Sequence, residues 1–313
     1  MPSLLLLLFA LTVGSTVGLV AWRYPRIARP AAGPTIDTAR KLGKEVGRYP
    51  GLRAVVGARL DPATATGLAL TLALALAIGG GVLLGLLAYL VRSNSQLVRI
   101  DKSVAKWGNV HASAISTHVL NAVTQLGSIY TVIVLCVGLA VAETVRERSV
   151  WLVPFIVAVM GGEEILTLTV KQLVDRLRPT FNPAAATLGP SFPSGHSATA
   201  AAFYATAALL LGRWRGRPAR AMLTGLAAGI AVAVAASRVL LDVHWLTDVI
   251  AGLALGWAWF AVCAIAFGSR ILRFGAAAET AAQAADATEV AESGSDNATR
   301  RPAVSARLPD VSE

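Results

Sequence analysis

Residues 221–267 read AMLTGLAAGIAVAVAASRVLLDVHWLTDVIAGLALGWAWFAVCAIAF, two apolar runs separated by the polar insert SRVLLDVHWLTD at residues 237–248. A run of about 20 apolar residues is what a helix needs to cross a bilayer. Ionisable groups between such runs are costly near lipid and mark a functional site by default. The pattern recurs along the chain. Apolar runs fall at residues 4–22, 65–91, 119–142, 151–170, 198–211, 221–236 and 245–267, and two further polar inserts, KQLVDRLRP at residues 171–179 and PSGH at residues 193–196, lie between them. The expected fold is an all-α, polytopic transmembrane helical bundle.

Composition agrees. The 313 residues are 55% hydrophobic and 15% charged, against a charged fraction of about 25% in soluble domains, and the mean hydropathy is +0.61. The net charge of +10 could serve a nucleic acid, but its distribution points to topology instead. Basic residues crowd residues 23–59 and 213–220, with others at Arg146, Arg148, Arg270 and Arg273. Under the positive-inside rule these regions are cytoplasmic, no nucleic-acid partner is implied, and the three polar inserts face the other side. One segment disagrees: the outer connection after the second run carries Arg92, Arg99, Lys102 and Lys106, and reads as an interfacial segment lying on headgroups with Trp107.

Four regions follow. Residues 1–22 are an expected spanning anchor, retained because a basic n-region and a small-residue cleavage site are both lacking. Residues 23–64 are a basic cytoplasmic linker with a surface helix near residues 36–46, and residues 65–270 form the membrane domain. The Ala-, Glu-, Ser- and Thr-rich residues 271–313 are expected to be a disordered cytoplasmic tail. Cys136 and Cys263 fall inside apolar runs, so no disulfide is expected, and His111 and His118 have no ligand-like neighbours, so no metal site is expected either. The glycines at residues 79–85 suit a close-packing helix face, within the bundle or between chains, and leave the oligomeric state open.

The inserts carry the chemistry. His244 and Asp248 are four residues apart, on one face of a helix start, where a carboxylate can fix the imidazole tautomer and free the other nitrogen as nucleophile or base. The pair alone would more often be structural, but Arg238 lies in the same loop with a guanidinium fork suited to phosphate. In Pro193-Ser194-Gly195-His196, Ser194 reads as an N-cap, Gly195 allows close backbone approach, and the helix start favours an anion. By itself it reads as an ordinary capped turn. Lys171, Asp175 and Arg178 are spaced to share a helical face, with Pro179 ending the helix near Arg178. The two cations could equally snorkel to headgroups. Glu164, seven residues before Lys171, would line the bundle interior beside a cation or a lipid polar group.

Together, Lys171 with Arg178-Pro179, then Pro193-Ser194-Gly195-His196, then Ser237-Arg238 with His244 and Asp248, resemble in order and spacing the three-part signature of the type 2 phosphatidate phosphatases. That family also includes lipid-phosphate and polyprenyl-diphosphate phosphatases and soluble vanadium haloperoxidases. The resemblance covers residues 151–267 closely and the runs from residue 65 loosely. It implies a six-helix core plus one added N-terminal span, and a bacterial plasma-membrane enzyme acting without cofactor or metal on a lipid phosphomonoester or diphosphate. It further implies that His244 attacks phosphorus, Asp248 orients it and His196 protonates the leaving oxygen. Lys171, Arg178, Arg238, Ser194 and the Gly195 amide would hold the remaining oxygens. A lipid or phosphate transporter using the same basic pocket is the alternative, favoured by Glu163 and Glu164.

Overall fold

The computed structural model describes residues 2–23, 65–93, 95–146 and 149–267. The expected linker, most of residues 23–64, and the tail lie outside them, as do Arg148, Arg270 and Arg273. The regular elements among the described residues are all helices, with no strand. The helices are α1 Pro2–Arg23, α2 Ala65–Ser93, α3 Ser95–Val110, α4 Ala114–Gln125, α5 Ile129–Arg146, α6 Leu152–Val174, α7 Gly195–Gly212, α8 Arg217–Leu240 and α9 Leu246–Ala266, with a 3-10 turn at Pro183–Leu188. The apolar runs are helical because a backbone in hydrocarbon has to satisfy its polar groups internally, which a helix does.

Five helices (α1, α5, α6, α8 and α9) are long and apolar enough to span. A sixth span is possible if the bent pair of α2 and α3 counts as one. Two of the seven expected spans therefore change. The run at residues 119–142 is broken at Leu126, Gly127 and Ser128, where α4 ends before α5 begins. A Cβ on Gly127 would lie 2.8 Å from the His196 carbonyl oxygen, so the break is where this segment meets the PSGH helix. The run at residues 198–211 belongs to α7, which is not apolar enough to qualify alone. The reason is its position: α7 packs against α5, α6, α8 and α9, so its threonines and alanines are buried against protein and need not meet lipid.

Large apolar side chains point outward along the spans, among them Leu8 and Leu11 of α1, Val134 and Val141 of α5, and Val157 and Ile165 of α6. Such rows would be unusual on a soluble monomer and suit a lipid-facing surface. Inside, Phe155, Val159, Phe203, Leu210 and Cys263 form the largest buried cluster, joining α6, α7 and α9. Arg213 at the C-terminal end of α7 pairs with Glu143 of α5 at 2.7 Å, closing the bundle at the end opposite the PSGH turn.

Within the described chain the glycines at residues 79–85 do not make the tightest helix approach, and Gly80 alone among them meets a neighbour, a Cβ there lying 3.8 Å from Ala258 Cβ of α9. Nothing lies within 4 Å of a Cβ built on Gly79, Gly81 or Gly85. The close approach is between α1 and α8, where Gly14 and Gly18 face Gly225 and Gly229, and a Cβ on Gly14 would sit 2.8 Å from the Gly225 carbonyl oxygen. Without a hydrophobic force between helices in lipid, such small residues permit the backbone contact that holds a pair together. The interfacial expectation fits better: α3 turns 81° from α2 and exposes Ile100 and Trp107 while burying Asp101 and Ala105.

Overpacking the α1–α8 contact should cost about 1–3 kcal/mol. Gly225→Leu is expected to lower the thermal unfolding midpoint of the detergent-solubilised protein, whereas Gly79→Leu is expected not to lower it.

Candidate functional site

Three chain reversals at one end of the bundle bring the inserts together. α6 ends at Val174, and Asp175 adopts the left-handed conformation with φ 44°, its amide bonding the Lys171 carbonyl. The helix thus stops a turn earlier than the Pro179 signal suggests, so Lys171, Asp175 and Arg178 do not share a helical face. Lys171 stays on the helix, Asp175 is exposed, and Arg178 is carried inward by the following loop. At the end of α8, Asp242 is left-handed with φ 55°, a conformation Asp tolerates better than most residues. The amides of Val243 and His244 then both donate to the Arg238 carbonyl, at 3.1 and 3.2 Å, which turns His244 back over the bundle.

The PSGH turn locks to the third insert through the backbone. The Ser194 amide donates to the Asp248 carbonyl at 3.0 Å. Gly252, one turn further along α9, makes room for this: a Cβ there would collide with the Ser194 carbonyl oxygen. Ser194 occupies the N-cap position of α7, but its hydroxyl makes no capping bond and instead accepts from Ser197 Oγ at 2.9 Å. The first-turn amides of α7 are therefore left uncapped by the side chain that was expected to cap them, which suits an anion. Over Gly195 lies Lys171, whose Nζ would be 3.7 Å from a Cβ at that position.

His244 is 2% exposed. Its Nε2 faces Arg178 Nη1 at 3.2 Å. A guanidinium only donates, so Nε2 carries a lone pair and the ring proton is on Nδ1. That nitrogen lies 3.5 Å from Asp248 Oδ2, an ion-pair distance that falls short of hydrogen-bond geometry and leaves Nδ1 with no hydrogen-bond partner among the described residues. Burial, opposed by the Asp248 carboxylate, pushes the His244 imidazole down to about 4.

The cations are held by neutral acceptors. Arg178 donates to the carbonyls of Gly189 (2.8 Å), Val243 (2.9 Å), Pro190 (3.2 Å) and Leu188 (3.4 Å). Burial lowers its pKa, against the pull of Asp248, yet a guanidinium stays charged in proteins. Arg238 reaches Thr124 Oγ1 of α4 at 3.2 Å, and its Nε is buried without a partner. His196 sits in the combined field of Arg238, His244, Lys171 and Arg178. Lys171, Arg178, Ser194, Gly195, His196, Arg238, His244 and Asp248 thus lie together at one end of the bundle, in a cation-rich environment.

Four residues of this neighbourhood escaped the sequence reading. Arg176 bonds both Asp248 Oδ1 and, at 2.7 Å, Asp101 Oδ2. Thr247 bridges the same groups, and Thr124 supports Arg238. A signal existed for Asp101, the one acid among the basic residues of α3. Glu163, the deeper of the two intramembrane acids, is fully buried and accepts from Thr167 at 2.8 Å and Thr199 at 3.1 Å. Glu164 is half-buried and acts electrostatically on Lys171.

The model of the PAP2 superfamily matches residues 150–271. The chain is 31% identical over 173 residues to phosphatidylglycerophosphatase B of Bacillus subtilis (strain 168), spanning 55% of this chain and 84% of that one. It belongs to the PAP2 superfamily. Within that superfamily it is also 33% identical over 142 residues to a lipid A 1-phosphatase of Rhizobium etli, covering 40% of this chain and 56% of the relative. A decaprenylphosphoryl-5-phosphoribose phosphatase of Mycobacterium tuberculosis is 36% identical over 115 residues, 36% of this chain and 58% of that one. Among solved structures, the transmembrane PAP2 type phosphatidylglycerolphosphate phosphatase from Bacillus subtilis superposes with a TM-score of 0.55 at 27% identity, over 59% of this chain and 92% of that chain. The PAP2 match and the apolar helices make this an all-helical integral membrane protein of a phosphatase family.

The pKa of His244 has a direct consequence. Because the folded value lies below the ordinary value of about 6.5, the neutral ring is favoured by folding; that contribution is fully present above pH 6.5 and is lost as pH falls toward 4. Imidazole 15N shifts of selectively labelled protein are expected to show His244 neutral and Nδ1-protonated from pH 7 down to near pH 4. Titration near 6.5 would contradict this arrangement.

Proposed function

We propose that this PAP2 member hydrolyses a lipid-linked phosphomonoester or diphosphate at the extracytoplasmic face through a phosphohistidine intermediate. The observation that carries the reading is the Nε2 lone pair of His244, facing Arg178 in the field of Arg178 and Arg238. In the first step His244 Nε2 bonds to phosphorus, the phosphorus–oxygen bond to the lipid breaks, and the departing oxygen takes a proton from His196, whose charged form is favoured by the negative charge of the bound phosphate against the burial and neighbouring cations that otherwise hold its imidazole down at about 3. In the second, water gives a proton to His196 and its oxygen displaces His244, releasing phosphate. Asp248 balances the charge that develops on the His244 ring. Lys171, Arg178, Arg238, Ser194 and the Gly195 amide stabilise the equatorial oxygens, which is where catalysis of phosphoryl transfer chiefly lies. Three fixed cations supply the countercharge, so activity without added metal is part of the proposal.

The relatives' names support a lipid phosphate as substrate class, since those proteins act on phosphatidylglycerophosphate, lipid A and a decaprenyl-linked phosphate. Orientation is supported by the basic residues. Arg213 and Arg215 lie in the connection between α7 and α8 and Arg217 and Arg220 in the first turn of α8, at the pole opposite the site, and the Trp22 carbonyl at the end of α1 accepts from Arg217 at 2.8 Å. We assign residues 1–22 to an anchor, 65–270 to the phosphatase domain, and 23–64 and 271–313 to the cytoplasm. The transport alternative drew on Glu163 and Glu164, and the two oxygens of Glu163 are engaged by Thr167 and Thr199.

Purified protein in detergent, with EDTA present, is expected to release phosphate from at least one member of a panel of phosphatidate, phosphatidylglycerophosphate and polyprenyl diphosphate, and to be inhibited by vanadate. His244→Ala should remove the activity; full activity in that variant would refute the mechanism. For orientation, a membrane-impermeant maleimide is expected to label Leu188→Cys in intact cells but Trp214→Cys only after lysis.

A further inference from the structure

Asp248 is held from behind. Its Oδ2 accepts from the Trp245 amide at 3.0 Å and faces His244, while its Oδ1 accepts from Arg176 Nη1. The same Nη1 reaches Thr247 Oγ1 at 2.7 Å, and Nη2 reaches Asp101 Oδ2 at 2.7 Å. Asp101 is 1% exposed. It also accepts from the Thr247 amide at 3.0 Å and the Thr247 hydroxyl at 2.7 Å. The Arg176 guanidinium lies over the Trp245 ring, 5.5 Å from its centroid, and the Trp245 indole donates to the Leu177 carbonyl at 2.8 Å. Thr247 Oγ1 donates once, to Asp101, and accepts once, from Arg176.

Arg176 therefore differs from the phosphate-clamp cations. Its two terminal nitrogens are occupied by two buried carboxylates, and a guanidinium fork is the group that can bridge them. Asp101 comes from α3, the helix bent away from the spans, outside all three polar inserts.

We propose that Arg176 and Asp101 are positioning residues for the reaction. Asp101 fixes Arg176, Arg176 fixes the Asp248 carboxylate, and the carboxylate sets the ring of His244, so alignment of the nucleophile depends on α3. This rests on His244 being the nucleophile, as proposed above.

Removing Arg176 outright would leave two buried carboxylates facing each other, a strongly destabilising change, so the informative variants are Arg176→Lys and Asp101→Asn. Lysine keeps the charge but is a point donor that cannot span both carboxylates. Both variants, purified and assayed on the lipid phosphate that the wild type hydrolyses best, are expected to lose roughly 10- to 100-fold in kcat, the size typical of removing an outer partner from an organised site. KM and competitive inhibition by inorganic phosphate should stay within about threefold, because neither residue touches phosphate. The double variant should fall no further than Arg176→Lys alone, since the two act in series. The imidazole 15N signal of His244 should move away from the wild-type tautomer in both.

A rise in KM with kcat kept would make Arg176 a phosphate ligand and overturn the proposal, as would multiplicative losses in the double variant. An unchanged kcat with a lowered unfolding midpoint would reduce the pair to a structural brace. Activity surviving His244→Ala would instead remove the mechanism on which the inference rests, whereas a dead His244→Ala beside a fully active Arg176→Lys would defeat the inference alone.

Discussion

An excess of buried positive charge governs this molecule. Lys171, Arg178 and Arg238 share one pocket at the end of a helical bundle, and each has a reason to repel the others. Burial of a charge is tolerated when polar partners replace water, and here the partners are mostly neutral: the four carbonyls around Arg178 and the Thr124 hydroxyl on Arg238. The nearby carboxylates are engaged elsewhere, Asp248 and Asp101 by Arg176 and Glu163 by two threonines. These cations are thus held by neutral groups, an arrangement on which the proposed phosphate-binding role depends.

That arrangement depends on backbone contacts that only small residues allow. Gly252 lets α9 approach the PSGH turn closely enough for the Ser194 amide to meet the Asp248 carbonyl, and Gly127 lets the α4–α5 break approach His196. The interior helix α7 is rich in alanine and threonine for the same reason. It is enclosed by other helices and contributes thin packing rather than lipid-facing bulk, which is why its hydropathy falls short of its neighbours.

Much of the site was legible because its residues cluster in short segments. His244 with Asp248, and Pro193 through His196, are each within one turn of a helix start, so spacing alone placed them on a common face or at a common end. The Lys171–Arg178 pair was read with the wrong local geometry, since a left-handed Asp175 rather than Pro179 ends the helix. Arg176 has no distinguishing pattern in residues 171–179, because which way its guanidinium points is decided by the chain reversal at Asp175 immediately before it.

By itself, the sequence determined an all-helical membrane protein with three polar inserts of phosphatase type, because hydropathy, helical period and motif spacing are local properties written in consecutive residues. Tertiary structure alone decided that residues 119–142 form two helices, that Gly14 and Gly225 make the close contact between α1 and α8, and that Arg176 ties Asp101 to Asp248. Those contacts join residues 72 to 75 positions apart around Arg176 and still farther between α1 and α8. No local pattern encodes them, since they exist only once the packed helices have fixed which faces meet.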